Sequence, residues 1–445
     1  MAITIRTQLR WTTVSQVIRI SIQVISVVTL ARILSPSDYG MMAMVGTVTA
    51  FAGLFRDFGT GAALIQKEQI DKNLIQAVFI FNIGLGFTLS LMLVLLSLPI
   101  ALFFREEQVT DLLLILSPVF FISSFGIVQH ALMERRYRYR LIVFIELISG
   151  LSGLGVAVAC ALSGLGVYSL VIQLLLSAAI STLLVWLFSE WKPALKTSFQ
   201  ELKKIWKFSA DNFLFGLINY FHRNSDSVLI GRVLGPVELG FYSTAYKILL
   251  LPLSNLTSVV NRASFVVYSR HQERRTEIGE HYFITLRKIA FLSALMMSVV
   301  WSFREPLVVI VLSEKWIRSA ELLMWLAPVG YLQSMVSTSG TIFNSVGRSD
   351  LLRNMGFIGV PFFVVGFLIG INWGIMGVAV SYFIVNLIWM FPVLLVVFKQ
   401  VDLPPVKLIK LLAAPTIIGV AIAFSLRWSL LLSDWAALRN LNFFG

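Results

Sequence analysis

One cysteine, Cys160, is the whole thiol content of the 445 residues, so no disulfide can close within the chain. Four histidines beside that one cysteine offer no H-E-x-x-H and no paired Cys/His spacing, which speaks against a zinc site and leaves no metal ligands to assign. No G-x-x-x-x-G-K-[ST] occurs, so the sequence carries no nucleotide-driven motor, and no cofactor is expected. Long polar loops are missing too. The two largest, near 189–207 and 261–281, hold about twenty residues each, well short of a folded soluble domain. Charge is the scarcest commodity. Charged residues make up 13% of the chain, about half of what a soluble globular protein carries.

What fills the gap is apolar sequence in long blocks. Gln76–Phe104 contains no charge in 29 residues, and Leu141–Phe188 contains one, Glu146. Lipid leaves no partner for an open backbone, and about 20 residues of helix cross it, so such blocks predict membrane-spanning helices. Spans are predicted near 11–31, 38–55, 75–104, 111–132, 141–162, 165–188, 208–231, 238–260, 282–303, 320–341, 354–371, 374–398 and 406–426. The N-terminus "MAITIRTQLRW" reads as lacking a cleavable signal, because a full-length apolar segment follows without a small-residue cleavage site. With that end in the cytoplasm, and with Arg287, Lys288, Lys407 and Lys410 near the span ends counted with their loops, one face of the membrane carries 25 Lys and Arg and the other 8, leaving Arg19, Arg223 and Lys247 deeper inside spans. The three-to-one bias predicts a cytoplasmic N-terminus. The net charge of +13, including the basic run "ERRYRYR" at 134–140, is then loop bias, and no nucleic-acid partner is expected.

The chain repeats itself. "ARILSPSDYG" at 31–40 returns as "GRVLGPVELG" at 231–240, with Arg32/Arg232, Leu34/Leu234, Pro36/Pro236 and Gly40/Gly240 identical. Six predicted spans separate the copies, an even number, so both face the same side and the repeat is parallel. The expected fold is an all-α polytopic membrane protein of two parallel six-helix bundles, twelve core helices, with one or two further C-terminal helices. The bundles are expected at 1–200 and 201–400, and residues 401–445 should add either one transmembrane helix or an incomplete hairpin. Ser189–Lys207 between the bundles reads as a short interfacial helix. Within the repeated phrase, Ser35, Pro36 and Asp38 spell a helix start: an N-cap, a proline in the first turn and an acid three residues on. The phrase therefore reads as a cap and turn.

Its offset of 200 aligns span 1 with span 7. Thr12, Gln16, Arg19, Gln23 and Ser26 lie on one face of span 1, and Asn212, Gly216, Asn219, Arg223 and Asp226 take the matching positions of span 7. Charges within spans normally face protein or an aqueous cavity. Two matched polar faces predict a cavity between the bundles, with cations from both and Lys247 at a similar depth on span 8. Arg223 and Asp226, three residues apart, could instead neutralise each other. Arg19 has no acid on its own helix.

Five phrases resemble a known family: "LARILSPSDYGMMAM" (30–44), "FRDFGTGAALIQKE" (55–68), "NSDSVLIGRVLGPVELGFYSTAYKILLLPL" (224–253), "EKWIRSAELLMWLAP" (314–328) and "NSVGRSDLLRN" (344–354). They resemble the polysaccharide transport (Wzx-type) flippases of the multidrug/oligosaccharidyl-lipid/polysaccharide exporter superfamily, and most closely its exopolysaccharide and teichuronic-acid exporter branch. The resemblance implies a secondary transporter, not an enzyme, of the bacterial inner (plasma) membrane. Its two bundles would turn an undecaprenyl-pyrophosphate-linked oligosaccharide from the cytoplasmic to the outer leaflet by alternating access. Arg19, Arg223 and Lys247 would then take the pyrophosphate, Gln16, Gln23, Asn212 and Asn219 the sugars, and Asp226 a coupling proton or sodium ion. A polysaccharide polymerase complex and membrane lipids would be its partners. Competing readings within the superfamily are a lipid II-type flippase and a cation-coupled multidrug antiporter, the latter calling for a more acidic cavity. A polymerase or glycosyltransferase would need a catalytic loop that the sequence lacks.

Overall fold

In the computed structural model, which describes residues 2–67, 69–194, 202–270 and 274–441, the described residues form helices and no strand. In chain order they are α1 (Ala2–Ile33), α2 (Pro36–Asp57), α3 (Thr60–Gln66), α4 (Lys72–Phe104), α5 (Gln108–Leu116), α6 (Pro118–Arg135), α7 (Tyr139–Leu162), α8 (Tyr168–Phe188) and α9 (Lys203–Leu234). They continue with α10 (Pro236–Arg270), α11 (Arg275–Ser302), α12 (Arg304–Val311), α13 (Ile317–Val336), α14 (Ser339–Ser345), α15 (Ser349–Gly370), α16 (Gly374–Gln400) and α17 (Val406–Leu441). Among the described residues, eight segments are long and apolar enough to cross a membrane; Gln108–Arg135 and Asp350–Gln400 each hold two helices. The expected count of twelve core spans is therefore not reproduced by apolar length alone. α2, α9, α10 and α13 fall outside the eight because polar and small residues dilute them.

By packing, the chain divides into Met1–Gly240 and Phe241–Gly445. In the first unit α1 packs on α7, α7 on α8, α4 on α6 and α2 on α9. In the second, α11 packs on α17 and α13, and α16 on α13 and α15. The sequence repeat turns over near residue 200, whereas the packing boundary lies at 240, because α9 is held by α2. Of the interfacial helix expected at 189–207, residues 195–201 lie outside the described residues. Ser189–Ala194 is not helical, and Lys203–Lys207 opens α9. α17 runs from Val406 to Leu441 without an intervening turn.

The span expected at 111–132 is broken in two at Ser117–Pro118, and the break is chemically closed. Pro118 has no N–H to give Leu114, and the Ser117 hydroxyl donates to that carbonyl instead, at 2.9 Å. Ser90 of α4 then inserts, donating to the Ser117 carbonyl at 2.7 Å and accepting from Phe121 N–H at 3.2 Å. Neighbouring hydroxyls thus satisfy the backbone that proline frees, as lipid requires.

The short α3 ends on a side chain. Arg135 donates through Nη1 to the carbonyls of Leu64 (2.9 Å), Ile65 (3.2 Å) and Lys67. Those carbonyls sit at a helix end and have no partner within it. Arg135→Ala should destabilise the first unit by about 2 kcal/mol, the scale of hydrogen bonds to a charged group. The measurement is the thermal midpoint in detergent, with Arg135→Lys keeping part of the loss back. Nearby, Glu190 accepts from Arg136 at 2.7 Å and from Arg138, tying the segment after α8 to the turn before α7. The Arg138 hydrogen bond and charge, with Arg136 adding, hold the Glu190 carboxyl below its usual range.

The repeated phrase shows why it is written twice. Ser35 caps α2: its hydroxyl accepts from Asp38 N–H at 3.2 Å, and Asp38 Oδ2 accepts from Ser35 N–H at 2.8 Å, the reciprocal box the sequence spelled. In the second copy Gly235 sits at φ 85°, a left-handed turn suited to glycine, and Glu238 stands in the first turn of α10. The copies then touch each other. A Cβ on Gly40 would lie 1.6 Å from the Pro236 carbonyl oxygen, and a Cβ on Gly240 would lie 1.9 Å from that of Pro36. The contact is reciprocal, as two like elements meeting about a local twofold require, and only glycine permits it.

Candidate functional site

Arg19 stands midway along α1, and its partner comes from α7. Arg19 Nη2 donates to Glu146 Oε1 at 2.9 Å and to Ser15 Oγ at 3.3 Å, while Ser15 donates to Glu146 Oε2 at 2.7 Å. Both carboxylate oxygens are therefore engaged. Ser15, one turn before Arg19, is buried, and Glu146 is 26% exposed, yet 61% of the Arg19 side chain remains open. A guanidinium has five N–H donors, and Glu146 and Ser15 use Nη2 alone. Nε and Nη1 stay available for a planar or tetrahedral oxyanion. Glu146 both steadies the arginine and competes with any anion that approaches it.

α9 carries the second face. Its contact with α2 is an aromatic seam: Tyr220 donates to the Thr47 carbonyl at 2.9 Å, and ring pairs join Phe51 to Tyr220 (5.2 Å) and Phe55 to Phe213 (4.8 Å). At 100° per residue, Asn219, Arg223 and Asp226 lie about a quarter turn from that seam, so packing on α2 leaves their stripe to one side. Asn219 and Arg223 are exposed, and Arg223 makes no ion pair among the described residues. Asp226 is 4% exposed, and its Oδ1 accepts from Ser227 N–H at 2.6 Å. Mutual neutralisation of Arg223 and Asp226 is thus not the arrangement found. On α1, Gln16 is half-buried and Gln23 exposed, while Ser26 accepts from Gln173 at 3.0 Å. The side chains of Thr12 and Asn212 lie outside the described residues. Arg19 and Arg223 are both in the first unit, on helices whose main packing partners differ, α7 for α1 and α2 for α9.

Lys247 is in the second unit, half-buried on α10. One residue before it, Tyr246 shares a hydrogen bond of 3.2 Å with Tyr382, which also accepts from Gln333. Tyr242 stacks on Tyr246 with centroids 6.1 Å apart and planes 6° from parallel. Tyr242 is fully buried and Tyr382 is 4% exposed with Phe363 and Phe367 against its ring, so this cluster is core packing that joins α10, α13 and α16 next to Lys247.

Two parts of this geometry escaped the sequence reading. Glu146 was visible as the lone charge of its block, but 127 residues separate it from Arg19. Tyr246, Tyr382 and Gln333 carry no motif, and only packing brings them together. Among the described residues no group of three His, Cys, Asp or Glu side chains converges to hold a metal ion.

A family model described as "Polysaccharide biosynthesis protein" matches residues 29–321. The teichuronic acid biosynthesis protein TuaB of Bacillus subtilis is 25% identical over 344 residues, covering 77% of this chain and 71% of that protein. The lipopolysaccharide biosynthesis protein WzxC of Escherichia coli is 24% identical, covering 85% and 78%. Among solved structures, the lipid II flippase MurJ in its inward closed conformation has the same fold, with a TM-score of 0.74 at 13% identity over 96% of this chain and 99% of that one.

Proposed function

Because the chain belongs to the polysaccharide biosynthesis protein family, we propose that it is a flippase that carries a polyprenyl-pyrophosphate-linked oligosaccharide across a bacterial membrane for export as polymer. Family and fold are those of multi-pass membrane transporters, not of enzymes. The observation that carries the substrate reading is Arg19. It is a cation at membrane depth, fixed by Glu146 and Ser15 yet open on two donor positions. A buried-span charge kept open in this way has a ligand as its best use. Arg223, exposed and without an ion pair among the described residues, supplies a second positive charge in the same unit. Lys247 supplies a third, beside the tyrosine cluster. Gln16, Gln23, Asn212 and Asn219 offer amides for the glycan.

The basic bias of the loops supports a cytoplasmic N-terminus and a plasma-membrane location, so the loaded lipid enters from the cytoplasmic leaflet. The absence of a nucleotide-binding motif makes an ion gradient the reasonable drive, with Asp226, buried within a span, as the group to couple a proton or sodium ion. A polymerase complex on the outer face would consume the product.

The test is flipping of a pyrophosphate-linked oligosaccharide by the full chain in proteoliposomes, alongside lipid II and a cationic drug. Turnover of the oligosaccharide lipid alone fits the proposal; transport of the drug alone would sink it. Glu146→Gln sharpens the experiment. Glutamine keeps an acceptor for Arg19 but drops the competing charge, so the substrate should bind more tightly and leave more slowly. KM and maximal rate should both fall by about tenfold, the pattern of a ground state stabilised beyond the transition state. An unchanged KM would remove Glu146 from the cycle.

A further inference from the structure

Along the seam of α11 and α17 a groove of about 590 Å³ opens, with two cations in its half nearer the start of α11 and apolar side chains over the rest. The helices run the same way and are fastened at both ends. Lys407 pairs with Glu280 at the start, Ser298 donates to the Gly419 carbonyl at 2.7 Å and Ser302 to the Ala423 carbonyl at 2.9 Å toward the far end, and just beyond it Arg427 pairs with Glu305 of α12 at 3.0 Å. The groove is thus a fixed feature of the second unit. Phe283 and Ile284 line its first turn, and Arg287 and Lys288 follow, seven and eight residues after Glu280. Phe291, Leu295, Ile418 and Ile422 continue it. Eight residues from Arg287 to Leu295 advance about 12 Å along the membrane. The cations therefore lie toward the interface where α11 begins, and the apolar part runs toward the bilayer centre. Lys407 has its carboxylate in Glu280, whereas Arg287 and Lys288 pair with no acid among the described residues. Leu295 and Ile418 are each 46% exposed, so the apolar floor faces the lipid.

We propose that this groove is a binding site for an anionic glycerophospholipid, its phosphate held by Arg287 and Lys288 and one acyl chain laid along Phe291, Leu295 and Ile418. Charge complementarity selects the occupant. A zwitterionic headgroup brings its own cation against the pair, whereas phosphatidylglycerol brings a net negative charge with an acyl chain in the required direction. The site is separate from Arg19, Arg223 and Lys247 and takes a lipid of the surrounding leaflet, not the transported one.

Native mass spectrometry of the full chain, equilibrated with equimolar phosphatidylglycerol, phosphatidylcholine and undecaprenyl phosphate, tests it. The unaltered protein should retain phosphatidylglycerol over phosphatidylcholine by about tenfold or more, the preference two interfacial cations confer. Arg287→Gln with Lys288→Gln should bring the two to parity, and Arg287→Lys should keep most of the preference. Should the double variant fail to fold by its thermal midpoint, Ile418→Trp, which fills the groove and leaves both cations, should abolish the same retention. Equal retention of phosphatidylcholine by the unaltered protein, unchanged selectivity in both variants, or preferential retention of undecaprenyl phosphate would each overturn the proposal. Transport assays are not involved, so failure here leaves the flippase reading intact, and failure there leaves this one.

Discussion

Arg19→Ala protein should insert normally and export almost no polymer. The expected loss is about tenfold to a hundredfold, because charge-assisted hydrogen bonds of the kind Arg19 offers a phosphate contribute about 1.5–3 kcal/mol. Two causes could produce such a loss, and the structure separates them. Removing Arg19 strands Glu146, which accepts from Arg19 and Ser15 and is only 26% exposed. If the defect is a stranded carboxylate, Arg19→Ala with Glu146→Ala should regain export. If the defect is a lost contact to the pyrophosphate, the double variant should stay inactive, which is the outcome expected here. Arg19→Lys keeps the charge without the fork and should fall in between, since a lysine cannot serve Glu146 and a phosphate from separate edges. Arg223→Ala is the cleaner companion. Arg223 is exposed and makes no ion pair among the described residues, so its loss should leave the thermal midpoint in place while export drops. Polymer at the cell surface, normalised to inserted protein, is the readout. Full export from both alanine variants would end the pyrophosphate assignment.

How far the sequence led depends on the distance over which each feature is decided. Ser35 and Asp38 cap α2 from three residues apart, and that box could be read directly. The repeat, a property of the whole chain, was equally plain, and with it the all-helical membrane class. The break of the expected span at Ser117–Pro118 was half legible. Proline announces it, but Ser90, which makes it tolerable in lipid, comes from another helix. Apolar length identified α4, α7 and α8 without difficulty. It underweights α2, α9, α10 and α13, whose polar and small residues are matched to protein neighbours and lower the hydropathy of the window. At the candidate site the cations were found and their environment was not. Arg19 lacked an acid on its own helix, yet Glu146 lay on α7. Spacing rules reach one or two turns, and side chains in a bundle meet across a hundred residues or more.

Gly40→Ala and Gly240→Ala should each impair the protein severely, and the sign of the effect is diagnostic. Alanine is favoured over glycine within a helix by about 1 kcal/mol, so an unhindered exchange should be neutral or mildly stabilising. Gly46, on the same helix, has no atom within 4 Å of an added Cβ, and Gly46→Ala is expected to behave that way. At Gly40 the added Cβ would meet the Pro236 carbonyl oxygen at 1.6 Å, and at Gly240 that of Pro36 at 1.9 Å. Backbone, not a flexible side chain, would have to move. Both prolines occupy the first helical turn, where the ring fixes φ and narrows the routes by which the chain can yield. Overpacking of this kind costs about 1–3 kcal/mol and often more against main chain. Either variant should therefore lower the thermal midpoint by several degrees and cut export by about tenfold or more. The paired variant should be no worse than the sum, because displacing one helix start relieves both collisions at once. A Gly40→Ala protein with the stability and export of Gly46→Ala would mean that the two copies of the phrase do not meet in the working transporter. The local twofold contact would then have to be abandoned as the reason the chain carries the phrase twice.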